Sequence, residues 1–191
     1  MRYDNRKIAG LLLVIGGVLC TLGMIVAEAL YPGYSTSENY ISDLGVGPSA
    51  LVFNSSIFLL GVLAVCSAYF IQKTFNFKLF SILTAITGIG AIGVGLFTED
   101  AGAIHAVFSL ITFLFAGISA IVSYKLEKPP LSYLSVVLGT MSLVALVLFA
   151  SGSYLDLGKG GMERMIAYPA LLWTISFGGH LIGDSKDTST T

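Results

Sequence analysis

His105 and the carboxylates that share its end of the chain's apolar segments are the residues best suited to chemistry. Histidine has an unperturbed pKa near neutrality, so His105 could move a proton or ligate a metal. Ser109 and Thr112 follow it at i+4 and i+7. That spacing places all three on one helix face and predicts a polar stripe aimed into a bundle. Asp43 lies in Tyr40-Ile41-Ser42-Asp43-Leu44-Gly45, and Glu163 lies beside Arg164. Either carboxylate could orient the imidazole for general-base work, which gives a candidate catalytic set of His105, Asp43 and Glu163. Plainer roles stand beside these. His105 could be a structural histidine bonded to a carboxylate, and Asp43 could cap the turn that precedes Leu44-Gly45.

The candidate binding residues are Tyr40, Ser42, Asn54, Glu99, Asp100, Arg164 and Tyr168. A guanidinium suits a carboxylate or a lipid phosphate. Arg164 is therefore expected either to meet a headgroup or to pair with Asp43 or Asp100. Tyr168 shares its face at i+4, while Glu163 points about 100° away and needs a different partner. Glu28, Thr98, Tyr154 and Asp156 belong to the same polar depth. Carboxylates plus one histidine could hold a divalent cation, but no metal ligand set is assigned. Cys20 and Cys66 fall in apolar runs without zinc spacing and read as packing residues. A Ser-His-Asp set can be drawn from Ser42 or Ser55, His105, and Asp43 or Asp100, yet no G-x-S-x-G supports it. Gly158-Lys159-Gly160-Gly161 reads as a flexible turn, since the order of a phosphate loop is absent. His180 sits tens of Å from His105 by helix rise and cannot share its site.

The elements that must position these residues follow from composition. The chain has 191 residues, 55% hydrophobic and 11% charged, with mean hydropathy +0.86. Soluble domains carry about 25% charged residues, so lipid is the natural solvent here. A net charge of −1 offers no basic field for nucleic acid. A bilayer core of about 30 Å needs about 20 apolar residues per helix. Six segments meet this: 8–30, 49–72, 79–97, 103–124, 131–151 and 162–182. Strands would leave backbone groups unpaired in hydrocarbon, so the fold class expected is an all-α integral membrane protein, a six-transmembrane-helix bundle. The first segment is longer than the ~7–15 residues of a signal-peptide core and reads as an uncleaved helix. Arg2, Arg6, Lys7, Lys73, Lys78, Lys125, Lys128 and Lys186 fall on one side, and only Lys159 and Arg164 on the other. The positive-inside rule then makes both termini cytoplasmic in a multi-pass protein of the cell membrane. Short inner links, 73–78 and 125–130, force antiparallel neighbours. The longest loop, 31–48, is outer and apolar enough to fold onto the helix ends. Gly88, Gly90, Gly93 and Gly95, and separately Gly179 and Gly183, mark close helix packing, within the bundle or in a homo-oligomer. Residues 184–191 form a polar tail expected to be disordered.

Tyr31-Pro32-Gly33, Tyr40-Ile41-Ser42-Asp43-Leu44-Gly45, Phe53-Asn54, Gly95-Leu96-Phe97-Thr98-Glu99-Asp100 with His105, and Glu163-Arg164 with Tyr168-Pro169 and Trp173 resemble the prokaryotic membrane family known as domain of unknown function 998. The resemblance spans nearly the whole chain and implies a fold more than a chemistry. A more distant similarity is to the Frag/DRAM/Sfk six-helix membrane proteins. Those carry Tyr-Ile-Ser-Asp-Thr-Gly in the first non-cytoplasmic loop, a His opening helix four and an acidic residue opening helix six. Here Leu44 stands where that stretch has Thr. The group is tied to lipid remodelling, lipid asymmetry and autophagy, so the similarity implies a lipid-related role centred on Asp43, His105 and Glu163.

The leading expectation is a lipid-handling protein that recognises a headgroup at the outer helix ends, with membrane lipids as partners. The alternatives are an intramembrane lipid-modifying enzyme using His105 with outer carboxylates, a small transporter or channel, and an assembly partner. Charges confined to the helix ends weigh against a transport path, because proton relays usually mark the midplane.

Overall fold

A computed structural model describes residues 4–183. Arg2, Lys186 and the tail 184–191 lie outside the described residues. The apolar runs fold as six long helices: α1 (Asn5–Leu30), α2 (Ala50–Phe75), α3 (Lys78–Leu96), α4 (Ala103–Val122), α5 (Leu131–Ala150) and α6 (Gly158–Gly183). All six are long and apolar enough to cross a membrane, and the described residues contain no strand. The chain is an all-helical, multi-pass membrane protein.

Each helix packs on its sequence neighbours, and α6 closes the ring against α1. Antiparallel succession brings Asn5 and Gly183 to one end, called here the terminal end. The opposite, loop end holds residues 31–49, 97–102 and 151–157. Short links are stopped by local chemistry. Asn76 ends α2 in the left-handed region at φ 48°, its N–H donating to the Gln72 carbonyl at 3.1 Å. Asparagine tolerates this conformation better than most residues with a Cβ.

Glycine contacts fix how closely the helices approach. A β-carbon on Gly61 of α2 would lie 2.6 Å from the Gly88 carbonyl of α3, and one on Gly10 of α1 would lie 2.5 Å from the Gly178 carbonyl of α6. Gly117 and Gly139 do the same for α4 and α5. Gly90 and Gly93 of α3 face Thr112 and Phe108 of α4, and Gly95 faces Asn54 and Phe58 of α2. The α3 glycines are thus spent inside the bundle, where small residues allow backbone contact. A β-carbon on Gly179 or Gly183 would meet nothing within 4 Å among the described residues.

One expected turn is helical instead. Gly158-Lys159-Gly160-Gly161 is the first turn of α6, which begins four residues before Met162. The glycines are there because the first loop lies directly on them. The Gly160 N–H donates to the Ser37 carbonyl at 2.9 Å, and a β-carbon at Gly160 would collide with the carbonyls of Asn39 and Thr36.

Candidate functional site at the loop end

The loop 31–49 is the scaffold of the site. Asp43 opens a 3₁₀ turn, Ser42–Gly45, and accepts hydrogen bonds from the Asn39 side chain and the Tyr40 N–H, both at 2.9 Å. Asn54 reaches up from α2 to donate to the Gly45 carbonyl at 2.9 Å, and Ser49 donates to the Leu44 carbonyl at 2.9 Å. Leu44 and Ile41 are buried under this turn against α1, α2 and α6. The apolar residues of the loop therefore press Ser42 and Asp43 down onto the helix ends.

Arg164 fastens the same loop from α6. One terminal nitrogen, Nη1, donates to the carbonyls of Thr36 at 2.9 Å and Gly160 at 3.0 Å. The other, Nη2, meets Glu28 of α1 at 2.5 Å and the Tyr34 hydroxyl at 2.8 Å, and the Tyr34 hydroxyl donates onward to the Tyr40 carbonyl. The expectation that Arg164 pairs with Asp43 or Asp100 is corrected: its carboxylate is Glu28. Both terminal nitrogens are occupied by protein and the remaining Nε–H is buried without a partner among the described residues, so neither terminal nitrogen is free for a headgroup phosphate. The physical signal was available, since a glutamate in the last turn of a membrane helix requires a cation, and only Lys159 and Arg164 lie at this end.

His105 is placed by the chain reversal between α3 and α4. Gly102, at φ 61°, turns the chain, and the Phe97 and Phe108 rings stack with centroids 5.3 Å apart. His105 then reaches back so that Nδ1–H donates to the Phe97 carbonyl at 2.7 Å, capping the end of α3. A carbonyl only accepts, so Nδ1 carries a proton, and Nε2 presents a lone pair whenever the ring is neutral. The orienting group is a backbone carbonyl, where a carboxylate was expected. Among the described residues the ring has no other hydrogen bond.

Glu163 opens toward the same space from α6. Its Oε2 accepts the Ile41 N–H at 2.5 Å, and Oε1 has no hydrogen-bond partner among the described residues. Glu163 and His105 are only 7% and 8% exposed, yet both line two adjoining cavities. The larger holds about 470 Å³ between the loop-end halves of α4 and α5; its polar end is formed by Tyr40, Ser42, Glu99, His105, Ser109 and Glu163. Its apolar walls are Leu110, Phe113, Leu146, Phe149 and Ile166. Ala106, Leu110 and Ala150 on its rim are exposed at the helix surface, so it opens sideways where lipid would stand. The smaller, about 80 Å³, continues down the bundle axis past Ala64, Gly88, Ala91 and Ala116 to Trp173.

Asp43 and Glu99 share a hydrogen bond, and Ser42 donates to Glu99. Burial, then the proton shared with Asp43 and its negative charge, push the Glu99 carboxyl up to about 7. Burial would raise Asp43 as well, but the bonds from Glu99, Asn39 and the Tyr40 N–H outweigh it and hold Asp43 below the usual range. Lys159, whose ammonium lies 4.4 Å from the Tyr40 ring centre, lowers both.

The structure thus brings Tyr40, Ser42, Glu99, His105 and Glu163 to one cavity, with Asp43 behind Glu99. Asn54 and Arg164 brace the loop. Asp100 bonds Thr98, and Tyr168 is exposed on α6; neither lines either cavity. Among the described residues no group of three or more His, Cys, Asp or Glu side chains is arranged to hold a metal ion. The model of a protein family of unknown function, DUF998, matches residues 14–180. The chain belongs to DUF998. No curated protein and no solved structure matches this DUF998 chain.

A second polar network, at the terminal end, was not anticipated. Glu127, in the short link between α4 and α5, is buried and accepts from the Ser123 hydroxyl at 3.0 Å, while Trp173 Nε1–H donates to Ser123 at 3.0 Å. Burial raises the Glu127 carboxyl. His180 Nε2–H donates to the Leu126 carbonyl at 3.2 Å. His180 and His105 thus lie at opposite ends of this DUF998 bundle.

Proposed function

We propose that the protein binds a membrane lipid, with the headgroup against Ser42, His105 and Glu163 and a chain in the groove between α4 and α5. The observation that carries this reading is the shape and lining of the 470 Å³ cavity. It has one polar end with unspent hydrogen-bonding capacity, apolar walls, and a sideways opening among exposed apolar residues. Ligand sites combine mostly apolar walls with a few convergent polar groups in this way. The basic residues gathered at the terminal end favour a cytoplasmic placement of both termini, so the lipid would be drawn from the outer leaflet. The resemblance of Tyr40–Gly45 and His105 to six-helix proteins tied to lipid remodelling points the same way.

The test is lipid retention by the full chain, measured by native mass spectrometry in mild detergent. Ala106→Trp, at the exposed rim, is expected to lower the bound-lipid fraction at least about fivefold, because a filled apolar site loses its contacts. Val107→Trp, exposed but outside the cavity lining, is expected to leave it unchanged. Equal retention by both variants would sink the reading.

A second reading is acid–base chemistry on the bound lipid. It is favoured by the Nε2 lone pair of His105 and the Ser42 and Ser109 hydroxyls lining the same cavity. His105→Gln should then abolish turnover of lipid in reconstituted vesicles, a loss much larger than any accompanying fall in lipid retention.

A further inference from the structure

We infer that the polar end of this cavity takes a primary ammonium group, held by Glu163 Oε1 and His105 Nε2. This rests on the lipid reading and narrows it to a headgroup chemistry.

The two groups have complementary features. Each is more than nine-tenths buried, each spends one atom on a backbone group, and each leaves one acceptor unpartnered in a cavity. Polar atoms on buried residues are normally satisfied, so two acceptors facing one cavity take a donor from outside the protein, water or a ligand group. An –NH₃⁺ group has three N–H donors and no acceptor. A phosphate has the opposite character and would meet the Glu163 and Glu99 carboxyls.

Charge leads to the same ligand. Asp43 and Glu99 share a proton, and Lys159 stands beside them, so that pair has its counter-ion. Arg164, next to Glu163 in sequence, is spent on Glu28. Glu163 makes no ion pair among the described residues. A buried carboxylate without a counter-ion is costly; it takes up either a proton or a cation, and a ligand ammonium supplies the second.

The lining also separates primary from quaternary amines. A trimethylammonium group has no N–H and is usually bound by an aromatic cage. Of the aromatic residues lining the cavity, Tyr40 meets Phe149 edge-on at 5.8 Å and its ring is already covered by the Lys159 ammonium at 4.4 Å, so that ring face is taken by a cation. The acceptors Oε1 and Nε2 would gain nothing from a methylated nitrogen.

The test uses the full chain in nanodiscs or mild detergent with three lipids of identical acyl chains: phosphatidylethanolamine, phosphatidylcholine and phosphatidylglycerol. Retention by native mass spectrometry is expected to favour phosphatidylethanolamine by about tenfold, in line with charge-assisted hydrogen bonds. Glu163→Gln, which keeps a carbonyl oxygen, is expected to remove the preference, so that the three lipids are retained equally by that variant. The wild-type comparison needs no variant, so misfolding of Glu163→Gln cannot obscure the outcome. Free ethanolamine, titrated in as competitor, identifies the source: displacement means the site also takes soluble amines, and no displacement with the preference intact assigns it to the lipid. Equal retention of all three lipids overturns the ammonium proposal while the lipid reading stands. Retention of none overturns both.

Discussion

Arg164 shows how one side chain can set a whole loop, and its removal gives a sharp expectation. Arg164→Met would leave Glu28 without its cation and release Thr36 and Tyr34. Breaking such a pair typically costs ~3–5 kcal/mol, and the lower figure is expected here because Glu28 is 24% exposed. Limited proteolysis should then cut within 31–48, and Arg164→Lys should rescue only in part, since an ammonium lacks the guanidinium fork. Glu99 gives a pH expectation. Its carboxyl lies above the ordinary 4.5 at about 7, so folding takes up a proton between those values. The stability it contributes is full below that window and is lost as pH rises through about 7. Asp43 behaves oppositely: its contribution is present above 3.8 and lost as pH falls. Glu99→Gln keeps a donor for Asp43 and does not titrate. It is expected to flatten the fall in melting temperature from about pH 5 to 8, read from the fluorescence of Trp173, the single tryptophan. At this scale, the stripe of His105, Ser109 and Thr112 was legible because helix period alone sets it. The Glu28–Arg164 pair and the Phe97 carbonyl on His105 were not, because each joins elements whose relative rotation local sequence does not specify.

Among the elements, the helices were readable from apolar run length, since hydrocarbon permits no other local structure. The start of α6 was not: four residues that include three glycines lack the apolar signal, and their helix depends on the loop packed over it. The glycines of α3 were legible as packing residues, but which helix each faces came only with the fold. Gly88→Val is expected to destabilise by roughly 1–3 kcal/mol or more, because its β-carbon would press on the Gly61 carbonyl at 2.7 Å, a backbone atom that cannot swing away. Gly179→Val, whose β-carbon would meet nothing within 4 Å among the described residues, is expected to be nearly silent. Monodispersity in detergent and thermal melting would check the pair. If both variants behave alike, glycine contacts do not set the spacing of α2 and α3.

At the scale of the molecule, the ring of six helices brings the candidate groups of the first loop, α2, the link between α3 and α4, α4 and α6 to one end, and the other end holds the network of Glu127, Ser123 and Trp173. Lysine and arginine asymmetry carries only an expectation of side, and cavity shape was not legible, because it depends on which helices leave a gap. In a background with Cys20 and Cys66 replaced, Ser37→Cys is expected to react with an impermeant thiol reagent from outside intact cells, and Lys73→Cys only after permeabilisation. The most direct measurement is a density map of the full chain in lipid nanodiscs. Chain-shaped density between α4 and α5, with its head beside His105 and Glu163, is the expected result. An empty or water-filled groove, with ordered lipid confined to other faces of the bundle, would contradict it.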